Sequence, residues 1–210
     1  MKIPEPTAGG DFEPTPEGQF TAICARFVDL GTQTVESIHG IKHQHKVMIG
    51  WEIPEVRVTD ADGKDAPALH QERYTWSMHE KANLRKVLEA WRGVKFKEAD
   101  FNTFDTKTLI GVPCLMQIVH NVGQSNGKTY ANIQSVMRSP VKKEDWPKLE
   151  GVPIYFSIAD FDQGEYDKLS EYWQNLIAES PEYKTKKGLQ SGEETGGDEW
   201  RKDMDDDIPF

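Results

Sequence analysis

The chain has 210 residues, with 25 Lys+Arg against 35 Asp+Glu and a formal net charge of −10, enough length for one sizeable core plus appendages or at most two small domains. Its first residues, MKIPEPTAGGDFEPTPEG, hold no apolar h-region, and the longest apolar stretch, Leu109 to Val119, is too short and interrupted to span a bilayer. A soluble, cytoplasmic protein with no membrane partner is expected. The charge is uneven: residues 1–140 carry 16 Lys+Arg and 17 Asp+Glu, whereas residues 141–210 carry 9 and 18, so the acidity does not exclude a polyanionic partner for the N-terminal body.

After an N-terminal arm, residues 1–17, the stretch GQFTAICARFVDL (18–30) reads as a strand between turn signals. Residues 44–54 alternate, with Val47, Ile49, Trp51 and Ile53 on one side and Lys46, Met48, Gly50 and Glu52 on the other, the pattern of a half-buried strand. Asp62-Gly63 marks a reversal. Residues 71–78 return with Tyr74, Trp76 and Met78 opposite Arg73, Thr75 and Ser77. The period then changes to that of a helix, expected over residues 78–92: Ser77 and Glu80 form a capping box, Leu84, Val87, Leu88 and Trp91 share a face, and Gly93 is the stop. Strands resume at 112–120 and 128–137 around a loop containing Asn126-Gly127. Cys24 and Cys114 fall inside strands and are expected as buried free thiols.

Three strands, a helix and two strands is the element order of an OB-fold, a five-stranded, partly open barrel. The expected domain is 18–140, mainly β. Residues 141–180 read as a linker followed by an amphipathic helix at 163–178, with Tyr166, Leu169, Tyr172, Trp173, Leu176 and Ile177 on one stripe. From residue 181 the composition predicts a disordered acidic tail.

Binding a single strand needs cations along the phosphates and aromatic faces for the bases. Arg26, Lys46 and Arg73 are placed on one solvent face of the first three strands, with Lys42, His43 and His45 in the loop between the first two. Lys128 and Tyr130 open the last strand, and Tyr130 is the leading stacking residue. Trp51 and Trp91 read as core; Tyr74 and Trp76 fit either core or base contact. His39, His43 and His45 lack a cysteine or second carboxylate beyond Glu36, so no metal is expected. No phosphate-cradling Gly-Lys-Ser/Thr, nucleophile elbow, HExxH or paired CxxC occurs; neither catalysis nor a cofactor is expected.

The chain's last eight residues, DMDDDIPF, closely resemble the tip of bacterial single-stranded DNA-binding proteins. The body resembles the phage-encoded OB-fold single-stranded DNA-binding proteins in FVDLGTQ, IGWEIPE, LRKVLEAWRG, LIGVPCLMQIVHN and TYANIQSV. The resemblance implies protection of single strands during phage replication, recombination and repair in an infected bacterium. It also implies recruitment of replication and repair proteins by Asp203, Asp205, Asp206, Asp207, Ile208, Pro209 and Phe210. Physically, Phe210 offers a ring for an apolar pocket and a carboxylate for an Arg, and Pro209 limits the entropy lost on docking. A protein-binding OB adaptor and a metal-dependent nucleic-acid enzyme using the histidines with Glu36 are the alternatives. Homo-oligomerisation is left open.

Overall fold

The computed structural model describes residues 14–37, 40–60, 63–101, 103–123 and 127–195. Expectations placed on His39, Asp62, Asn126 and the tip from Asp203 to Phe210 lie outside these residues. The elements are β1 (Gly18–Ser37), β2 (Gly40–Thr59), β3 (Asp65–Thr75), α1 (Asn83–Arg92), β4 (Pro113–Val122), β5 (Thr129–Arg138), β6 (Ile154–Phe156), α2 (Gln163–Asp167), α3 (Glu171–Ala178) and α4 (Pro181–Thr195). The fold is mainly β. Six strands form one sheet, ordered β3-β2-β1-β4-β5 and antiparallel along that path, with β6 added parallel to β1; it does not close on itself.

β1 organises this sheet because it bends. One edge pairs with β2 along most of its length, while the other pairs with β4 over residues 18–23 and with β6 over residues 26–28. Register shifts at Cys24/Arg26 and Asp29/Gly31 mark the bends, as bulges do. Residues just before β1 bridge the two arms of the sheet: His70 Nε2 of β3 lies 2.7 Å from Thr15 Oγ1, and His120 of β4 donates from Nε2 to the Thr15 carbonyl at 2.8 Å.

Two apolar clusters lie on opposite faces of β1 and β2. The first holds Cys24, Phe27, Val47, Ile49, Trp51, Ile53, Tyr74 and Cys114, closed by Leu84, Leu88 and Trp91 of α1. Spacing predicts burial for Val47, Ile49, Trp51, Ile53, Leu84, Leu88 and Trp91, Tyr74 falls to the core side of its two readings, and both cysteines are free and buried. The second holds Val28, Leu30 and Met48 against β6 and against Tyr166, Leu169, Trp173 and Ile177 of the C-terminal helices.

Four expectations need correction. The first helix begins at Asn83 rather than 78, because Ser77 Oγ accepts from the nearby His79 N–H in a bend and makes no capping box. Lys42, His43 and His45 belong to β2, not to a loop: the hairpin arms stay paired out to Ser37↔Gly40. The helix expected over 163–178 is two helices. Gln174 Nε2 donates to the carbonyls of Tyr166 and Leu169, which a continuous helix would have used itself, at 3.2 and 2.9 Å. Residues 181–195 are helical rather than disordered. Ser180 Oγ accepts from Tyr183 N–H at 3.3 Å in N-cap fashion, Pro181 takes the first helical position, and Tyr183 joins Phe161 and Tyr166 in an aromatic cluster.

Candidate nucleic-acid interface

Cross-strand pairing fixes which side chains share a face. Arg26↔Gly50, Val28↔Met48, Met48↔Arg73 and Lys46↔Thr75 put Arg26, Lys46 and Arg73 on the face of β1–β3 that bears Val28 and Met48, and Val35↔Lys42 adds Lys42 at the hairpin's distal end. Gly50 makes room for this. A Cβ there would sit 3.1 Å from the Arg26 Cβ, so the arginine stem lies across the glycine. Burial pushes the Arg26 guanidinium below its ordinary value, opposed by the charge of Glu52.

Lys46 and Arg73 are the central pair. Lys46 Nζ donates to Gln44 Oε1 at 2.7 Å and to Thr75 Oγ1 at 2.8 Å; burial and the Arg73 charge depress its ammonium. Among the described residues no carboxylate comes within ion-pair distance of either cation. Glu72 lies beside them and feels the Arg73 charge, and Glu36 stands further along β1, but neither acid is ion-paired to these cations, which leaves both able to take an anion. They lie at the junction of two depressions of about 630 and 500 Å³. The first is walled by Leu30, Gln33 and Val35 of β1 and by Trp173 and Leu176 of α3; the second runs past Ser77 to Lys81 and Asn83. Together they form a groove lying across the strands.

The other sequence candidates fall elsewhere. Tyr74 is 7% exposed and belongs to the first core, so its ring is not offered to a base; burial raises its hydroxyl well above the usual range. Trp76 is 44% exposed and stands at the edge of the core face, edge-on to Phe27 at 6.0 Å and 6.4 Å from the His45 ring. His43 is exposed, with Nδ1 3.3 Å from Thr34 Oγ1. Lys128 and Tyr130, the latter 47% exposed, sit on the β4–β5 hairpin, at the opposite end of the strand order from β3.

His45 faces away from the groove. Its Nε2 lies 2.6 Å from Asp29 Oδ1 and its Nδ1 3.8 Å from Glu182 of α4. The Asp29 hydrogen bond raises the imidazole pKa against the effect of burial. Burial would raise Asp29, but the bonds from His45 and from the Gly31 and Ile158 N–H groups hold it below the usual carboxylate range. Glu182 also accepts from Thr32 N–H at 2.9 Å and from Thr32 Oγ1 at 2.5 Å. This cluster fastens α4 to the hairpin.

A larger depression of about 730 Å³ is lined by Asp105, Asp160, Asp162 and Glu165 beside Lys107 and Tyr155; four carboxylates make it hostile to phosphate. The described residues hold no group of three or more His, Cys, Asp or Glu arranged to bind a metal ion, and no helix among them is long and apolar enough to cross a membrane.

Sequence reasoning missed Gln71, Lys81 and the α3 wall of the groove. Tyr172 is the clearest case. The stripe expected over 163–178 counts Tyr172 with Trp173 and Ile177, but within α3 Trp173 and Ile177, four residues apart, share the buried face, and Tyr172, about 100° round the helix from Trp173, is left 58% exposed. No protein-family model matches the chain, and no curated protein matches it in sequence.

Proposed function

We propose that this protein binds single-stranded DNA without sequence preference through the Lys46–Arg73 groove. The carrying observation is that groove itself: a channel across β2 and β3 whose two central cations make no ion pair with a carboxylate among the described residues. A strand path β3-β2-β1-β4-β5 with a helix between β3 and β4 supports the finer reading of the fold as an OB barrel left open between its third and fifth strands. In that architecture the second and third strands carry the oligonucleotide. The tip, Asp203 to Phe210, is proposed to recruit replication and repair proteins, and the resemblance to phage single-stranded DNA-binding proteins supports a role in phage DNA replication and recombination. No catalytic step belongs to this reading.

The near balance of charge over residues 1–140 implies few phosphate contacts. Three to five would give a salt slope of roughly −2 to −3.5, at about −0.7 per contact. Anisotropy titration of labelled oligo-dT and of a duplex at several salt concentrations tests this. Single strands are expected to bind more tightly, and Lys46→Ala/Arg73→Ala to weaken binding and flatten the slope by about 1.4. Preference for duplex, or an unchanged double variant, overturns the reading.

A further inference from the structure

We propose that α3 supplies a base-stacking subsite to this groove, with Tyr172 as the stacking residue and an unpaired nucleobase as its ligand. The proposal rests on the single-strand reading above and extends the site beyond the sheet into the C-terminal layer.

Tyr172 combines three properties that a stacking platform needs. Its ring is 58% exposed although both neighbours in the packing, Trp173 and Ile177, are buried, so a large apolar surface is kept in water. Its hydroxyl lies 3.5 Å from Arg73 Nη1, which puts the ring beside one of the two groove cations. A phosphate held at Arg73 brings the adjoining base to the α3 side. The platform is also held in place. Trp173 packs edge-on to the Tyr172 ring at 4.9 Å and anchors α3 in the cluster with Val28 and Met48. Gln33 Nε2 of β1 then ties the Leu30 and Leu176 carbonyls together at 2.6 and 2.9 Å. A ring already fixed loses little freedom when a base stacks on it, and stacking tolerates any base because each has a π-face. That tolerance suits a groove whose other contacts are charges.

The test uses the full chain and a fluorescein-labelled oligo-dT. Tyr172→Ala is expected to weaken binding about 5-fold or more, and Tyr172→Leu, which keeps bulk but not the π-face, to weaken it similarly. Tyr172→Phe is expected to stay within about 2-fold of the parent, since stacking uses the ring. Cross-linking with a 5-iodouracil oligonucleotide followed by peptide mapping should place an adduct on Tyr172. If the parent binds oligo-dT, the Lys46/Arg73 double variant is impaired, and Tyr172→Ala binds like the parent with no adduct on α3, the subsite is overturned while the groove stands. If Tyr172→Phe loses as much as Tyr172→Ala, the hydroxyl acts by positioning Arg73 and the stacking role is overturned. If the parent binds no single strand, the groove reading itself fails.

Discussion

The β1–β2 hairpin presents two faces that met different fates. Val47, Ile49, Trp51 and Ile53 all enter one dry core closed by α1. On the other face Val28 and Met48 are sealed by β6 and α3, while Arg73, the cross-strand partner of Met48, and Lys46, two residues back along β2, remain in an open groove. The first face is uniform because the chain nearby in sequence must bury it. The second is half wall and half site because a segment from more than a hundred residues away covers only part of it. A binding groove here is the border between a covered and an uncovered stretch of the same strands.

Substitutions sharpen that contrast. Trp51→Ala should carry the largest cost, about 3 to 5 kcal/mol for a fully buried indole, and should lower the urea midpoint of the whole molecule. Trp173→Ala removes the anchor of the second face. Its loss of hydrogen-exchange protection is expected to concentrate in α2, α3 and the start of α4; equal loss throughout the first core would show that the two faces unfold as one unit. Gly31→Ala comes next. Gly31 has φ +66°, and a Cβ there would meet Ser180 Cβ and Oγ at 2.5 Å, so left-handed strain and a steric clash at the α3–α4 corner add to about 2 to 4 kcal/mol. An unchanged urea midpoint would mean that this corner yields freely.

The smallest effect is pH-dependent. His45 has a raised pKa in the folded state, so its contribution is complete below the ordinary imidazole value of about 6.5 and fades as pH rises through the raised one. Asp29 is depressed, so its contribution is present above about pH 4 and is lost as pH falls through the lowered value. The pair therefore stabilises most between about pH 4 and 6.5. His45→Gln should cost more at pH 6 than at pH 8, by about 1 kcal/mol or less for a partly exposed pair. Thermal melts at the two pH values check it, and a reversed order would break the link between the hairpin and α4.

Much of the first face was legible in the sequence. Alternation over residues 47–53 and the helical spacing of Leu84, Leu88 and Trp91 report burial directly, because each element's own periodicity decides what is inside. The hairpin's outer half was not legible: Gln33, Thr34, Glu36, Lys42 and Gln44 show no apolar alternation, and their strand state comes from pairing with each other. α4 was hidden by averaging, since Tyr183 and Glu182 anchor a segment whose composition is otherwise that of a solvated tail. Of the site, Arg26, Lys46 and Arg73 could be placed on one face by counting residues, whereas Lys42 read as loop and joins that face only through its pairing with Val35. The α3 wall could not, because it depends on a helix break set by Gln174 and on packing across the chain.

β6 has a consequence for how the protein is made. Its partner is β1, with Arg26 opposite Ile154 and Val28 opposite Phe156, and β1 leaves the ribosome long before its partner does. Until then Val28, Leu30 and Met48 stand uncovered beside an unpaired strand edge, the combination that invites association between chains. Nearby, Glu52 is a buried carboxylate that accepts from the Glu150 and Gly151 N–H groups at 3.1 and 3.0 Å, so it too waits for residues 150 and 151. Residues 18–140 are thus an incomplete unit, and expressed alone they are expected to partition into the insoluble fraction while a chain extended through residue 195 remains soluble. In this molecule β6 and the helices after it, made later than the strands they cover, do for the sheet what a chaperone would otherwise have to do.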